Sequence, residues 1–186
     1  MQTCEVSLLL PAVAEERALP NWMSKGRMTR RRVSLLICLG AIASIAPAQQ
    51  MPTPYGAPVS LEQARNIVAS ARQAAVQRRF SMAFAVVEPG GQLVLFERMD
   101  GTQYGSEVVA QEKAKTAARF KRPTKAFSDA VAAGRVAVLS LPGAVAIEGG
   151  VPIVVQGRIV GALGVSGGTS EQDGEIAAVA LSGIGK

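Results

Sequence analysis

Several side chains that could bind a ligand lie at the end of one predicted strand and in the loop after it. Arg98, Met99 and Asp100 close the strand, and the ends of rigid strands are a usual place for binding groups. Tyr104 follows shortly after and adds a phenol. These four residues are therefore predicted to contact a ligand. A structural alternative stays open, because Asp100 also suits a turn, Met99 the core and Tyr104 a loop anchor.

Lys113 is the most unusual candidate because it lies on the apolar face of a predicted helix. At 100° per residue it falls inside the arc formed by Val109, Ala110, Ala114, Ala117 and Phe120. A charge on such a face must snorkel to water, pair with another charge or line a pocket. The two main interpretations are therefore a lysine that snorkels at the rim and an ammonium group that receives a ligand carboxylate.

A cluster of basic residues surrounds Pro123 and consists of Arg119, Lys121, Arg122 and Lys125. Arginine makes bidentate contacts to carboxylates and phosphates, so Arg122 is a further candidate for ligand binding. A run of charges is more often a solvated face, and that alternative stays open as well.

The side chains that the sequence lacks exclude several classes of enzyme. There is no histidine, and the two cysteines, Cys4 and Cys38, precede the predicted mature domain. A histidine-assisted serine or cysteine triad and a His- or Cys-ligated zinc site are therefore excluded from that domain. The Gly-rich segment 161–168 lacks both phosphate-loop motifs, and Glu171 and Asp173 after it would repel an anion. We expect this segment to serve close backbone packing and not nucleotide binding.

Periodicity and turn residues predict an α+β fold in which helices pack against an antiparallel sheet of about five strands. The first and last helices open with capping-box patterns, Ser60–Gln63 and Thr169–Gln172. Hairpin turns are predicted at Glu88–Gly91 and at Gln156-Gly157. The predicted elements are a helix over 61–79, strands 81–87 and 92–99, helices over 106–120 and up to 133, strands 144–147, 151–155 and 158–165, and a closing helix.

The first part of the chain has the features of an export leader. A basic stretch precedes the apolar run 33–46 and Ala46-Pro47-Ala48, which predicts a signal peptide over residues 23–48 with cleavage after Ala48. The arginines at 30–32 fit a Sec or a twin-arginine leader equally well. Residues 1–22 carry glutamates where a leader should open with positive charge, so this extension is predicted to be untranslated or wrongly assigned.

The predicted mature chain begins with a Pro-rich arm, residues 49–59, followed by one domain over residues 60–186. After the leader is removed, fourteen Lys+Arg and eleven Asp+Glu remain of the original twenty and fourteen, so the net charge falls from +6 to +3. The basic bias belongs largely to the leader, and nucleic acid is not expected as a partner. No stable membrane anchor is expected after cleavage, because the one long apolar run is removed with the leader.

Five motifs of the predicted domain resemble the GlcG/HbpS family in their order and spacing. They are Arg98–Gly101, Lys113–Ala117, Arg122–Thr124, Gly149–Ile153 and Gly161–Gly168, and the resemblance covers roughly residues 60–181. The resemblance implies a profilin-like or PAS-like domain that often assembles into larger oligomers. It also implies haem as a possible cofactor, since some exported members bind and degrade haem, whereas cytoplasmic members occur beside glycolate or diol metabolism with no settled activity.

The leader and the resemblance together predict an exported, haem-binding homo-oligomer, located in the periplasm or outside the cell, in which bound iron and peroxide support haem degradation. Without histidine, the leading candidates for the iron ligand are Tyr104 and Met99, and Lys113 is the candidate partner of a haem propionate. Tyr55, Met82, a lysine, another oxygen ligand or no protein ligand stay open. The alternative function is a non-catalytic accessory or sensory module that binds a small organic acid or a partner protein.

The leader makes a prediction about processing. Protein recovered from the periplasm or the medium should begin at Gln49, because the signal peptidase site follows Ala48. Intact-mass analysis measures this directly. Soluble cytoplasmic protein that retains residues 33–48 would contradict the prediction.

Overall fold

The computed structural model describes residues 52–184. The predicted leader, the extension before it and both cysteines lie outside the described residues. Within the described range, no helix is long and apolar enough to span a bilayer.

Two β-hairpins join side by side into one antiparallel sheet of four strands. The strands are β1 (Ala83–Val87), β2 (Leu93–Arg98), β3 (Gly150–Val155) and β4 (Arg158–Ser166). Their order is β2-β1-β4-β3, with β1 and β4 paired in the centre. The helices are α1 (Leu61–Gln77), α2 (Ser106–Phe120), α3 (Lys125–Ala132) and α4 (Ser170–Leu181). The predicted α+β class, the four helices and both hairpins are confirmed.

Local sequence signals account for the turns and the helix starts. Gln156 and Gly157 both have positive φ angles, of 49° and 71°, as the two-residue turn between β3 and β4 requires. At α1, the Ser60 hydroxyl accepts a hydrogen bond from the Gln63 amide, and the Gln63 side chain accepts one from the Ser60 amide. The predicted box at the start of α4 has the same reciprocal bonds. Both capping boxes are therefore present.

The sheet is covered on both faces, which places the core in two layers. One layer lies under α1 and α4 and contains the larger apolar residues, among them Ile67, Phe84 and Leu163. The other layer lies under α2 and is built mainly of alanine, for example Ala85 and Ala114, with Phe96 of β2 at its margin. Small side chains let α2 approach the sheet closely.

The predicted strand at 144–147 is wrong, and the sheet formed by residues 52–184 has four strands instead of about five. A short 3-10 helix, Val136–Ser140, and a loop occupy this apolar stretch. The Thr116 hydroxyl contacts two backbone groups of the loop, the carbonyl of Gly143 at 3.2 Å and the amide of Val145 at 3.0 Å. A helix side chain thus supplies bonds that a neighbouring strand would otherwise provide.

Gly164 sets the distance between β4 and α2. A Cβ atom at this position would meet the carbonyl oxygen of Ala110 and lie 2.7 Å from the amide nitrogen of Ala114. Both are backbone atoms of the helix, so they have no rotamer by which to move aside. The Gly-rich segment therefore serves close helix–sheet packing, as its sequence indicates.

Gly164→Ala should destabilise the fold by about 1–3 kcal/mol, since α2 must shift away from the sheet. Gly105→Ala is the matched control, because an added Cβ there meets no atom within 4 Å and the φ angle is −59°. Urea unfolding of both variants measures the difference. Equal stabilities for the two would contradict this role of Gly164.

Candidate functional site

Arg98, Tyr104 and Glu107 come together where β2 ends and α2 begins, and we call this group the Tyr104 cluster. The Arg98 guanidinium bonds the Glu107 carboxylate at 2.6 Å and lies 5.2 Å from the centre of the Tyr104 ring. Tyr104 is 82% exposed. The cluster therefore presents a cation and a phenol to solvent on one surface.

The start of α2 is fixed against the sheet, and this fixes the Tyr104 cluster. Ser106 is buried, and its hydroxyl oxygen accepts a hydrogen bond from the Ser166 hydroxyl at 3.2 Å, at the end of β4. Before it, the buried Thr102 donates from its hydroxyl to the Met99 carbonyl at 2.8 Å. The loop that carries Tyr104 is thus held by hydrogen bonds at both ends, although the Tyr104 ring itself is exposed.

Met99 and Asp100 do not join this surface in the way that Arg98 does. Met99 is partly buried and packs against the core under α1 and α4, on the face of the sheet opposite to the Arg98 contact with α2. Asp100 is exposed and precedes Gly101, whose φ of 77° makes the turn. Both residues therefore have the structural roles that the sequence left open, Met99 as a core residue and Asp100 as a turn residue. Met82, another candidate for the iron ligand, is fully buried.

Lys113 lies in a buried ion pair, so neither of its two main interpretations describes it. Its side chain is 1% exposed, and its ammonium group donates to the Asp173 carboxylate at 2.7 Å and to the Val165 carbonyl at 3.2 Å. The ammonium group therefore neither snorkels to the rim nor faces a ligand at the surface. Pairing, the third arrangement open to a charge on an apolar face, is the one adopted.

A backbone amide and a glycine complete the surroundings of this ion pair, the amide as a hydrogen-bond donor and the glycine by leaving space. The other Asp173 carboxylate oxygen accepts the amide of Gly168 at 2.9 Å. Burial raises the pKa of Asp173, and the Lys113 ammonium and backbone amides oppose that rise. A Cβ at Gly149, whose φ is 126°, would lie 2.9 Å from the Lys113 Nζ atom. Only glycine leaves room for the lysine to reach Asp173 here.

Arg122 lies at the opposite end of α2 from Tyr104. The helix has 15 residues, which separates its ends by about 22 Å. The Arg122 side chain donates to the Phe120 carbonyl at 3.2 Å and lies over the Phe127 ring at 5.6 Å. The predicted site residues therefore divide between two ends of one helix and the buried core.

Tyr55 lies near the Arg122 end of α2 and is not a free phenol. Its hydroxyl donates to the carbonyls of Ala118 and Arg119 at 2.9 and 3.1 Å, and Lys121 lies over its ring at 4.1 Å. Burial raises its pKa. A phenol that donates to two carbonyls and resists deprotonation is a poor ligand for iron.

An apolar groove, which no sequence pattern indicated, lies between α1, the end of α4 and strands β3 and β4. Its volume is about 400 Å³, within the range of small-molecule sites. The apolar part of the lining includes Ile67, Ile153, Val179 and Ile184. Its polar lining is uncharged, with Asn66 and Ser70 among the residues. The groove offers burial but no cation, whereas the Tyr104 cluster offers a cation and a phenol but little burial.

One sheet between two helical layers, with its exposed polar and aromatic groups at the end of β2, defines a small α+β domain. No group of three His, Cys, Asp or Glu side chains that could hold a metal ion occurs among residues 52–184. Residues 59–182 match the family described as "Haem degrading protein HbpS-like". The chain belongs to this family, which confirms the resemblance seen in its motifs.

Two curated relatives illustrate this membership. Protein GlcG of Escherichia coli K12 is 40% identical over 108 residues, covering 58% of this chain and 81% of the relative. An uncharacterized 15.0 kDa protein from the dhaT-dhaS intergenic region of Citrobacter freundii is 33% identical over 129 residues, covering 67% of this chain and 91% of the relative.

Solved structures share the fold. Klebsiella pneumoniae protein ORFY matches with a TM-score of 0.63 and 30% identity, over 74% of this chain and 94% of that one. The PduOC:heme complex matches with a TM-score of 0.62 and 29% identity, over 68% and 95%. A double mutant of HbpS from Streptomyces reticuli matches with a TM-score of 0.65 and 26% identity, over 77% and 99%. The family therefore includes a protein crystallised with haem.

The buried ion pair predicts a large loss of stability when its lysine is removed. Lys113→Met should cost about 3–5 kcal/mol of unfolding free energy, because Asp173 is left as an uncompensated buried charge. Adding Asp173→Asn to this variant should restore much of the loss, since the amide is neutral. Urea unfolding measures each step.

Lys125→Met is the matched control for this experiment, because Lys125 pairs with Asp129 at 2.7 Å but both side chains are more than half exposed. It should leave the free energy of unfolding nearly unchanged. A Lys113→Met variant as stable as Lys125→Met would contradict the account of the buried pair.

Proposed function

We propose that this protein is an exported haem-binding protein and that haem binds at the Tyr104 cluster. The observation that carries the proposal is the exposed phenol of Tyr104 with the Arg98 guanidinium 5.2 Å from its ring. Membership of the HbpS-like family and the fold shared with the PduOC:heme complex support haem as the ligand.

The residues of the Tyr104 cluster fit the chemical needs of haem. A phenol oxygen is an established type of ligand to haem iron, and Tyr104 is the exposed tyrosine of the described chain that makes no hydrogen bond through its hydroxyl. Arg98 can share its guanidinium donors between Glu107 and a propionate, since arginine carries five. Phe96 lies two residues before Arg98, on the same face of β2, and Val108 follows Tyr104 by about one helical turn and is 63% exposed, so each adds apolar surface near one member of the cluster.

The apolar groove fits haem less well, because its lining contains no cation for the propionates and no tyrosine, methionine or lysine for the iron. Lys113 does not contribute in either place, since its ammonium group is held by Asp173. We therefore assign the propionate contact to Arg98 and not to Lys113.

Haem degradation belongs to the same proposal. Bound haem would supply iron that can react with peroxide, and the protein's part would be to hold the porphyrin, with Tyr104 at the iron and Arg98 at a propionate. Export, by a Sec or twin-arginine leader, would place this activity in the periplasm or outside the cell, as the sequence pattern predicts. No imidazole in the chain can ligate the iron, because the sequence contains no histidine.

Tyr104→Phe tests the proposed iron ligand. The variant keeps the ring and loses the oxygen, so the absorption bands of bound ferric haem should shift and the affinity should fall by about tenfold, the scale of one lost charge-assisted interaction. A haem titration followed by absorbance, with protein that carries no histidine tag, measures both quantities.

Tyr55→Phe is the matched control, because the Tyr55 hydroxyl already donates to two backbone carbonyls. It should leave the haem spectrum and affinity unchanged. Wild-type haem affinity and spectrum in Tyr104→Phe would overturn the assignment of the ligand. No saturable haem binding by the wild-type protein would overturn the function and favour the non-catalytic accessory module.

A further inference from the structure

An exposed apolar stretch follows α3 and consists of residues 136–147, which we call the apolar segment. It carries no charged residue, and no residue of its 3-10 helix is buried. Val136 and Leu139 are 60% and 58% exposed, and Leu141 and Ile147 are also exposed. Soluble proteins rarely leave a contiguous apolar surface open to water unless it contacts a partner or a membrane. The apolar segment therefore indicates an interaction surface.

The apolar segment offers no free polar side chain to a partner. Its one polar side chain is that of Ser140, whose hydroxyl donates to the Ala137 carbonyl at 2.8 Å within the segment itself. The segment also contains no aromatic residue. Protein interfaces combine apolar contact with hydrogen bonds between the partners, and they are rich in aromatic residues and arginine. An aliphatic surface whose polar side chain is already satisfied fits hydrocarbon better than it fits another protein.

Two exposed arginines flank the apolar segment. Arg135 immediately precedes it, and the Arg119 side chain reaches its middle, where a Cβ added at Gly143 would lie 3.8 Å from the Arg119 Nη1 atom. Among residues 52–184, neither guanidinium group lies within ion-pair distance of a carboxylate. The helix dipole accounts for basic residues near the ends of α2 and α3, but not for the exposed aliphatic side chains between them. Positive charge beside such side chains complements a surface of anionic lipid.

We propose that the apolar segment binds this protein peripherally to membranes that contain anionic phospholipid. Val136 and Leu139 enter the boundary between the head groups and the acyl chains, while Arg119 and Arg135 stay at the level of the phosphates. Burial of one leucine adds about tenfold to the affinity, and one basic residue near an anionic bilayer adds about fivefold.

This surface is separate from the Tyr104 cluster. The apolar segment contacts α2 at Thr116, whose hydroxyl bonds the Gly143 carbonyl at 3.2 Å. Thr116 lies about 14 Å along the helix axis from Glu107 of the cluster. Membrane binding therefore does not depend on haem, and the two proposals are tested independently.

A tryptophan probe tests whether the apolar segment itself enters the bilayer. Leu139→Trp, combined with Trp22→Phe so that the full-length chain has one tryptophan, keeps an apolar side chain at this position. Its fluorescence should move to shorter wavelength when vesicles of phosphatidylcholine and phosphatidylglycerol are added, and brominated acyl chains should quench it. Vesicles of phosphatidylcholine alone should have a weaker effect, because they lack the negative charge that attracts the two arginines.

Val76→Trp in the same background is the matched control. Val76 on α1 is also 58% exposed, but its neighbours Arg72 and Arg78 pair with carboxylates. This probe should not respond to vesicles. Equal responses of the two probes, or no response of Leu139→Trp, would overturn the proposal.

Vesicle sedimentation measures the apolar and the charged contributions separately. Leu139→Glu should lower the affinity for the mixed vesicles by about tenfold or more, and Arg135→Gln should lower it by about fivefold at low salt and less at high salt. Val76→Glu should leave it nearly unchanged. The apolar run 33–46 is common to every full-length variant, so its own affinity for lipid cancels from the comparison.

Two outcomes would contradict the membrane assignment. One is an equal affinity of Leu139→Glu and Val76→Glu for the mixed vesicles. The other is a loss of assembly by Leu139→Glu in light scattering without vesicles, together with no response of the Leu139→Trp probe to lipid. That result would make the apolar segment a protein interface.

Discussion

The ion pair between Lys113 and Asp173 is the constraint on which the arrangement of the domain depends. It joins the middle of α2 to the first turn of α4 and, through the Val165 carbonyl, to β4, with almost no access to water. A buried charge is tolerated only when its partner is held in place, so the two helices and the strand must keep one relative position. That position carries the start of α2, and Tyr104 and Glu107 with it, to the end of β2.

The close approach of α2 to the sheet serves the same arrangement. Gly164 admits the backbone of α2 at Ala110 and Ala114, and Gly149 leaves room for the Lys113 ammonium. The Gly-rich segment 161–168, which lacks the phosphate-loop motifs, thus has a packing role through Gly164. In this position α2 lies over β4, β1 and β3, and it reaches β2 through the Arg98–Glu107 pair and through Phe96. The function proposed for the domain depends on the end of β2, where Arg98 meets Glu107 and Tyr104.

Local patterns predicted most of the fold, because capping boxes, turn glycines and helical periodicity act over a few residues. The partner of Lys113 lies 60 positions away, so the sequence marked the lysine as unusual but could not identify its partner. Asp173 had a sufficient local explanation as an acidic residue in the first turn of the closing helix. Residues 144–147 have the composition of a strand, but the Thr116 hydroxyl, which accepts from the Val145 amide and contacts the Gly143 carbonyl, holds part of this stretch as a loop. Of the predicted site residues, Arg98 and Tyr104 meet on one surface, whereas Met99 turns to the opposite face, as alternation along a strand requires.

The central claim is that haem binds at the Tyr104 cluster and not in the apolar groove between α1 and α4. The most direct test is a backbone amide NMR spectrum of the isotope-labelled protein with ferric haem, compared with the same spectrum with diamagnetic zinc protoporphyrin. Unpaired electrons broaden nearby signals, so the iron complex should selectively remove the signals of Phe96, Tyr104 and Val108 and leave those of Ile67 and Ile184. Selective loss of the Ile67 and Ile184 signals, with Tyr104 and Val108 unaffected, would contradict the account.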